Sequence, residues 1–163
     1  MPTMSRHSTI AQDIADFIEA NWAEKPANME IVRARSFEKA VKQIDDGASS
    51  FIVVIVPEAP AEFGSRGTDE CTVPLFVCLI ASVPALVEAD IDAWDLASEQ
   101  VSDVLRSRQL KVLAISDTLQ ATRQGTVSIP TAADADFLYE AEVFFSVIEM
   151  QYRFSLPVPE VVV

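Results

Sequence analysis

Few residues in this chain have the type and spacing to do covalent chemistry. His7 is the only histidine, and it stands ahead of the first periodic segment, where a chain terminus is usually poorly ordered. A nucleophile needs its base held within hydrogen-bond reach, so His7 reads as a solvated terminal residue. Cys71 and Cys78 are the only two cysteines. They stand seven apart in a strand-like stretch, which sends their side chains to opposite faces, so the expectation is two buried thiols and no disulfide. The Gly64-Ser65-Arg66-Gly67 stretch lacks the lysine and spacing of a phosphate cradle and reads as a hairpin tip. Asp90, Asp92 and Asp95 fall on a helical segment and point outward around an arc, without the loop geometry that chelates calcium. Asp134 and Asp136 lie in a loop, where weak cation binding is conceivable and plain solvation is the simpler account. The expectation is a protein without catalytic, metal or cofactor chemistry.

The segments that would position these residues are legible from periodicity. Ile10, Ile14, Phe17, Ile18 and Trp22 form a helical stripe over residues 8–22, with Ser8 or Thr9 as the cap and Lys25-Pro26 as the end. Residues 29–34 read as a weak strand. Residues 37–44 fit a helix or a strand, and Asp45-Asp46-Gly47 is a turn. Residues 51–56, Phe-Ile-Val-Val-Ile-Val, are too continuously apolar for a strand with one wet face; the pattern predicts a central strand covered on both sides. A loop over 58–70 then leads to a strand over 71–82, with Pro74 implying a bulge or an edge position. The longest predicted helix spans 86–108, with Val87, Ile91, Trp94, Ala97, Val101, Val104 and Leu105 on its apolar stripe and Arg106 and Arg108 closing its last turn. Residues 112–115 form a short strand candidate, and 116–136 a long polar loop. Over 139–154, Phe144, Ile148, Met150, Tyr152 and Phe154 alternate with Glu149, Gln151 and Arg153, the pattern of a strand with one buried face. The order of elements predicts an α+β domain, a mainly antiparallel sheet with two principal helices on one face.

Composition sets the outer limits. A chain of 163 residues is one domain, 1–163, with its core over about 8–156 and an extended tail over 157–163. It is 50% hydrophobic and 23% charged, which excludes a disordered or fibrous chain. The net charge of −13 argues against gripping a phosphate backbone or an anionic membrane surface, since both depend on Lys and Arg. Residues 1–7 lack the apolar centre of a signal peptide, and no apolar run reaches the length of a membrane span, so a soluble protein made in the cytoplasm is expected.

Two features have no catalytic use yet stand out. The loops over 58–70 and 116–136 are long for a compact domain, and loops of that length are usually functional or disordered. The tail ends in Val161-Val162-Val163 after two prolines, an extended apolar end able to dock as an added strand on a neighbouring subunit.

The layout resembles the tail terminator (tail-completion) proteins of long-tailed bacteriophages. The resemblance runs from about Thr9 to Leu156. It rests on the opening amphipathic helix, the strand ending in Val56-Pro57, the Arg66 loop, the acidic helix ending in Leu-Arg-Ser-Arg-Gln-Leu, and the closing Phe-Phe-Ser-Val-Ile-Glu-Met-Gln-Tyr-Arg-Phe strand. The Pro-Val-Pro-Glu-Val-Val-Val tail departs from that pattern. The resemblance implies a ring, usually a hexamer, that caps the tail tube, stops its growth and joins the head neck, within the virion. It implies as partners further copies of the chain, the tail tube protein and a neck or connector protein, with DNA only in passage. The long hairpin and long loop become contact arms, with Glu62, Phe63, Arg66, Asp69, Arg123, Gln124, Val161, Val162 and Val163 as interface residues. The carboxylates Glu88, Asp92, Asp95, Glu99 and Asp103 would line a channel or an outer face that repels DNA. The alternatives are another neck adaptor such as a head-closure protein, a small ligand-binding regulatory domain with a pocket beneath the 58–70 loop, and an enzyme acting through carboxylates.

Overall fold

The computed structural model of the protein describes residues 5–26, 29–34, 50–55, 61–63, 68–128 and 142–157. Helix α1, Arg6–Asn21, carries Ile10, Ile14 and Ile18 as a fully buried stripe, with Trp22 just beyond its end. Each buried isoleucine contributes about 1.5–3 kcal/mol relative to an exposed one. The cap differs from expectation. Ser5, rather than Ser8 or Thr9, accepts the free amide of Ser8 on its Oγ at 3.2 Å, so the helix starts two residues earlier.

Among the described residues seven strands form one sheet: β1 Glu30–Ala34, β2 Ser50–Ile55, β3 Ala61–Phe63, β4 Thr68–Ser82, β5 Val112–Ala114, β6 Gln120–Gln124 and β7 Val143–Pro157. The order is β1-β2-β4-β7-β6-β5, with β3 also beside β4. Every pair is antiparallel except β1 with β2. The spine is the unbroken ladder of β4 on β7, from Thr68 opposite Pro157 to Ser82 opposite Val143. Fifteen residues of strand span roughly 50 Å.

Alternation along this ladder separates the two faces. Opposed pairs Cys71–Phe154, Val73–Tyr152, Leu75–Met150, Val77–Ile148 and Ala81–Phe144 build one face, and both helices pack on it. The expected α+β architecture is therefore the observed one. Cys78, Ile80 and Val143 lie on the other face, with Val32, Phe76, Phe145 and Val147 packed against them. The two thiols are free, buried and on opposite faces, as the odd spacing requires.

Helix α2, Glu88–Leu105, is shorter than 86–108 at both ends. Ala85 and Leu86 adopt left-handed backbone angles, φ 61° and 49°, which no α-helix can contain. At the other end the backbone leaves the helix after Arg106, the cap, and Arg108 opens a separate 3-10 turn, Arg108–Leu110. The last-turn placement of Arg106 and Arg108 is thereby corrected.

Both long loops are partly strand. Residues 61–63 form β3, and 68–70 extend β4 beyond the expected start at Cys71. Gln120–Gln124 is β6, which pairs with β5 on one side and with β7 on the other. A polar strand such as Gln-Ala-Thr-Arg-Gln shows no apolar alternation, so periodicity misses it; only Ala121 is buried. Pro74 sits in a continuous β4–β7 register, but the stretch 72–75 pairs with neither β2 nor β3, so the edge reading holds locally. Strand β2 does lie inside the sheet, with Ile52 and Val54 buried. The segment 37–44, the turn at 45–47, Arg66, Asp134, Asp136 and Val161 to Val163 lie outside the described residues.

Candidate interaction surfaces

Helix α2 divides into two halves. Its second half seats Ala97, Val101 and Leu105 in the core with Ser98 and Ser102, while residues 88–96 are exposed or half-buried. Glu88, Asp92, Asp95 and Glu99 follow one another by four, three and four residues, a spacing that lines them along one stripe. All four are exposed, and none has a cationic partner among the described residues. Asp95 records the crowding. Partial loss of water around its carboxyl raises its pKa first, and the charges of Asp92, Glu99 and Glu88 raise it further. Leu96, 55% exposed, lies beside this stripe, four residues from Asp92 and three from Glu99. Asp103 continues the acidic face and pairs with Arg106.

The C-terminal end of α2 is held from below. Arg123 of β6 donates from Nη1 to the Leu105 carbonyl at 2.7 Å and to the Ser107 carbonyl at 3.5 Å. A cation at the last carbonyls of a helix opposes the negative end of its dipole. Tyr152 donates its hydroxyl to the Leu110 carbonyl at 2.6 Å, fixing the 3-10 turn to β7. Burial raises the Tyr152 pKa, with the Arg123 charge acting the other way. Arg123 is thus occupied inside the domain, and its neighbour Gln124 donates to the Thr122 carbonyl at 3.3 Å on the same strand.

Immediately after this anchored end comes a basic surface that periodicity did not single out. Arg108, Lys111 and Val112 are exposed, Val112 by 47%, at the start of β5, the outermost strand on that side. Arg108 and Lys111 have no carboxylate partner among the described residues. The signal was available as three cations within six residues, Arg106, Arg108 and Lys111, in an otherwise acidic chain.

The hairpin residues form a different surface. In the backbone register Glu62 stands opposite Glu70 and Phe63 opposite Asp69. Glu70 forms an ion pair with Arg153 of β7, so the described residues of this arm, 61–63 and 68–70, are strand fastened to the sheet. Asp69 is half-buried on it.

A groove opens where β6 and β7 part. β6 follows β7 only over Gln151–Arg153, and beyond that point the two diverge. The resulting space, about 880 Å³, is walled by His7, Thr9, Cys71, Leu119, Phe154 and Leu156 among others. His7 is therefore not a solvated terminal residue. It occupies the first turn of α1, half-buried, with its ring edge-on to Phe154 at 6.4 Å and Nε2 buried without a partner. His7 and Cys71 share the groove, but no hydrogen bond joins imidazole to thiol, so the geometry does not form a nucleophile–base pair. No group of three or more potential metal ligands occurs among the described residues. No protein-family model and no curated protein sequence matches the chain.

Proposed function

We propose that the chain is a tail terminator of a long-tailed bacteriophage, a binding protein that closes into a ring on the tail tube. The observation that carries the reading is the exposed carboxylate stripe Glu88, Asp92, Asp95 and Glu99, without a cationic partner among the described residues, on a helix anchored at its other end. An anionic surface repels phosphates, so DNA can pass such a ring without adhering, whereas a basic lining would retain it. The resemblance in layout and the outer strands β1 and β5, each paired on one side only among the described residues, support the same reading. Tube subunits add through a heterologous interface, and a subunit that covers the last exposed strand edges while closing on itself ends the series. The partners are then further copies of the chain, the tube protein and a neck protein, and the site of action is the virion. No helix among the described residues is long and apolar enough to cross a membrane.

The test is polymerisation of the tube protein with and without this chain, imaged by negative stain. Capped tube ends and an arrested length distribution are expected. Undiminished tube growth with bare ends, or tight binding of duplex DNA at 0.15 M salt, refutes the reading. A second reading, a ligand-binding regulatory domain, is favoured by one observation, the groove with its unpartnered His7 Nε2. It predicts a monomer whose His7 ring resonances shift when a cognate small molecule is added.

A further inference from the structure

We propose that copies of this chain associate head to tail, the acidic Leu96 face of α2 on one copy docking against the basic β5 edge of the next. The occupant of each surface is the other surface of the same protein. Three exposed large hydrophobic side chains stand out among the described residues: Val87, Leu96 and Val112, exposed by 47%, 55% and 47%. Two of them have charged neighbours of one sign. Leu96 is bordered on α2 by Asp92 and Glu99, while Val112 directly follows Lys111 and comes four residues after Arg108. Each surface thus has an apolar centre with a charged rim, the anatomy of an interface. The rims are opposite in sign, and their charges lack partners within the described fold. Asp92 and Glu99, the carboxylates nearest Leu96 around the helix, meet Arg108 and Lys111 on the next copy while Leu96 covers Val112, which leaves Glu88 and Asp95, farther round the stripe, uncovered.

The two surfaces cannot meet within one copy. Leu96 lies nine residues before the end of α2, roughly 14 Å along the axis, and the rigid anchor through Arg123 and Tyr152 holds the β5 end in place. Repeated head to tail, the contact is heterologous, and it yields a ring if the rotation closes and a filament if it does not. The inference names the subunit contact for the ring reading above and draws on it only for closure.

Rim charges steer encounter and register more than they add affinity, so the test uses charge reversal. Asp92→Lys/Glu99→Lys and Arg108→Glu/Lys111→Glu are made in the full chain, their fold checked by circular dichroism, and their association followed by sedimentation velocity at 0.1 M salt. The first variant moves the net charge from −13 toward about −9, so general repulsion alone would make it associate more strongly. The expected result is the opposite: each variant self-associates at least about tenfold more weakly than the wild type, and an equimolar mixture regains association. Three results overturn the proposal: a wild type that stays monomeric at high micromolar concentration, an Asp92→Lys/Glu99→Lys variant that assembles as well as or better than the wild type, or a mixture that stays dissociated. Loss of tube capping with self-association intact refutes the terminator reading and leaves this contact standing.

Discussion

Replacing Arg123 with Met separates a role inside the domain from a role between subunits. Methionine keeps much of the aliphatic stem and deletes the guanidinium, which donates to the Leu105 carbonyl at 2.7 Å and to the Ser107 carbonyl at 3.5 Å. A hydrogen bond from a charged donor is worth about 1.5–3 kcal/mol, and a cation near a helix C-terminus about 0.3–1 kcal/mol. Both describe the same contact, so they do not add. Arg123 is only half-buried, so water takes up part of the freed carbonyl, and the expected loss falls to about 1–2 kcal/mol. In a chain of 163 residues, each kcal/mol shifts Tm by about 2–4 °C. Thermal unfolding should therefore fall by about 2–8 °C, with the urea m-value unchanged, and Arg123→Lys should recover part of the loss. A Tm within 1 °C of the wild type refutes the anchoring argument. A variant that keeps its Tm but loses self-association would return Arg123 to the interface.

Three further outcomes follow from buried groups. Tyr152→Phe deletes the donor to the Leu110 carbonyl and should cost about 1 kcal/mol. Burial raises the Tyr152 pKa in the folded state, so its contribution is complete below the unfolded value near 10 and declines as pH rises beyond it; Tyr152→Phe should flatten that alkaline decline in urea titrations. Burial, then the charge of Asp16, raises the Asp13 pKa, so its stabilising share is present at acid pH and lost on ionisation. Asp13→Asn should unfold later than the wild type at pH 7 by a few tenths of a kcal/mol, with the difference vanishing near pH 3. Burial pushes the Cys78 thiol up to about 12, and the residue is fully enclosed. A Cys71→Ser variant, which retains Cys78, should release no thiol to an aromatic disulfide reagent in the native state at pH 8 and one in urea.

Where one face of an element is apolar and the other wet, period alone discloses it. The Ile10, Ile14, Ile18 and Trp22 stripe and the Phe144 to Phe154 alternation are both of this kind, and both are buried as the pattern requires. The Cys71 and Cys78 faces follow from the same parity. What escaped the pattern was structure without apolar contrast. β3 and β6 are short, and β6 buries a single residue; they exist because β4 and β7 offer unpaired backbone beside them, a tertiary cause that local composition does not carry. Val87 extends the apolar stripe and so places the predicted start of α2 too early, while the left-handed backbone at Ala85 and Leu86 is set by the turn out of β4. The acidic stripe on α2 was visible because carboxylates on one helical face need no tertiary information. The basic edge has no single period because its residues straddle a helix end, a 3-10 turn and a strand.

The two described helices rest on the same sheet face but are not held equally, and this bears on assembly. α1 presents isoleucines and Trp22 to the core, with Trp22 Nε1 donating to Gln100 of α2 at 3.1 Å. α2 buries two serines among its five core positions, and across from it β7 buries Ser146. The Ser98 and Ser146 hydroxyls have no partner among the described residues, and Ser102 reaches the Ser128 carbonyl only at 3.5 Å. Enclosed hydroxyls without hydrogen bonds oppose burial by about 1–3 kcal/mol each, so the α2 seam gains less than its area suggests. With its first half exposed as well, α2 belongs to the low-stability end of the fold. Amides of 91–98 should exchange with deuterium faster than those of 11–18 in the monomer. Docking of a second copy over Leu96 would add cover where the domain itself supplies little, so exchange at 91–98 should slow on self-association while 11–18 stays unchanged. Equal protection of both helices in the monomer would refute the account of the seam, and unaltered exchange at 91–98 on assembly would refute the location of the contact.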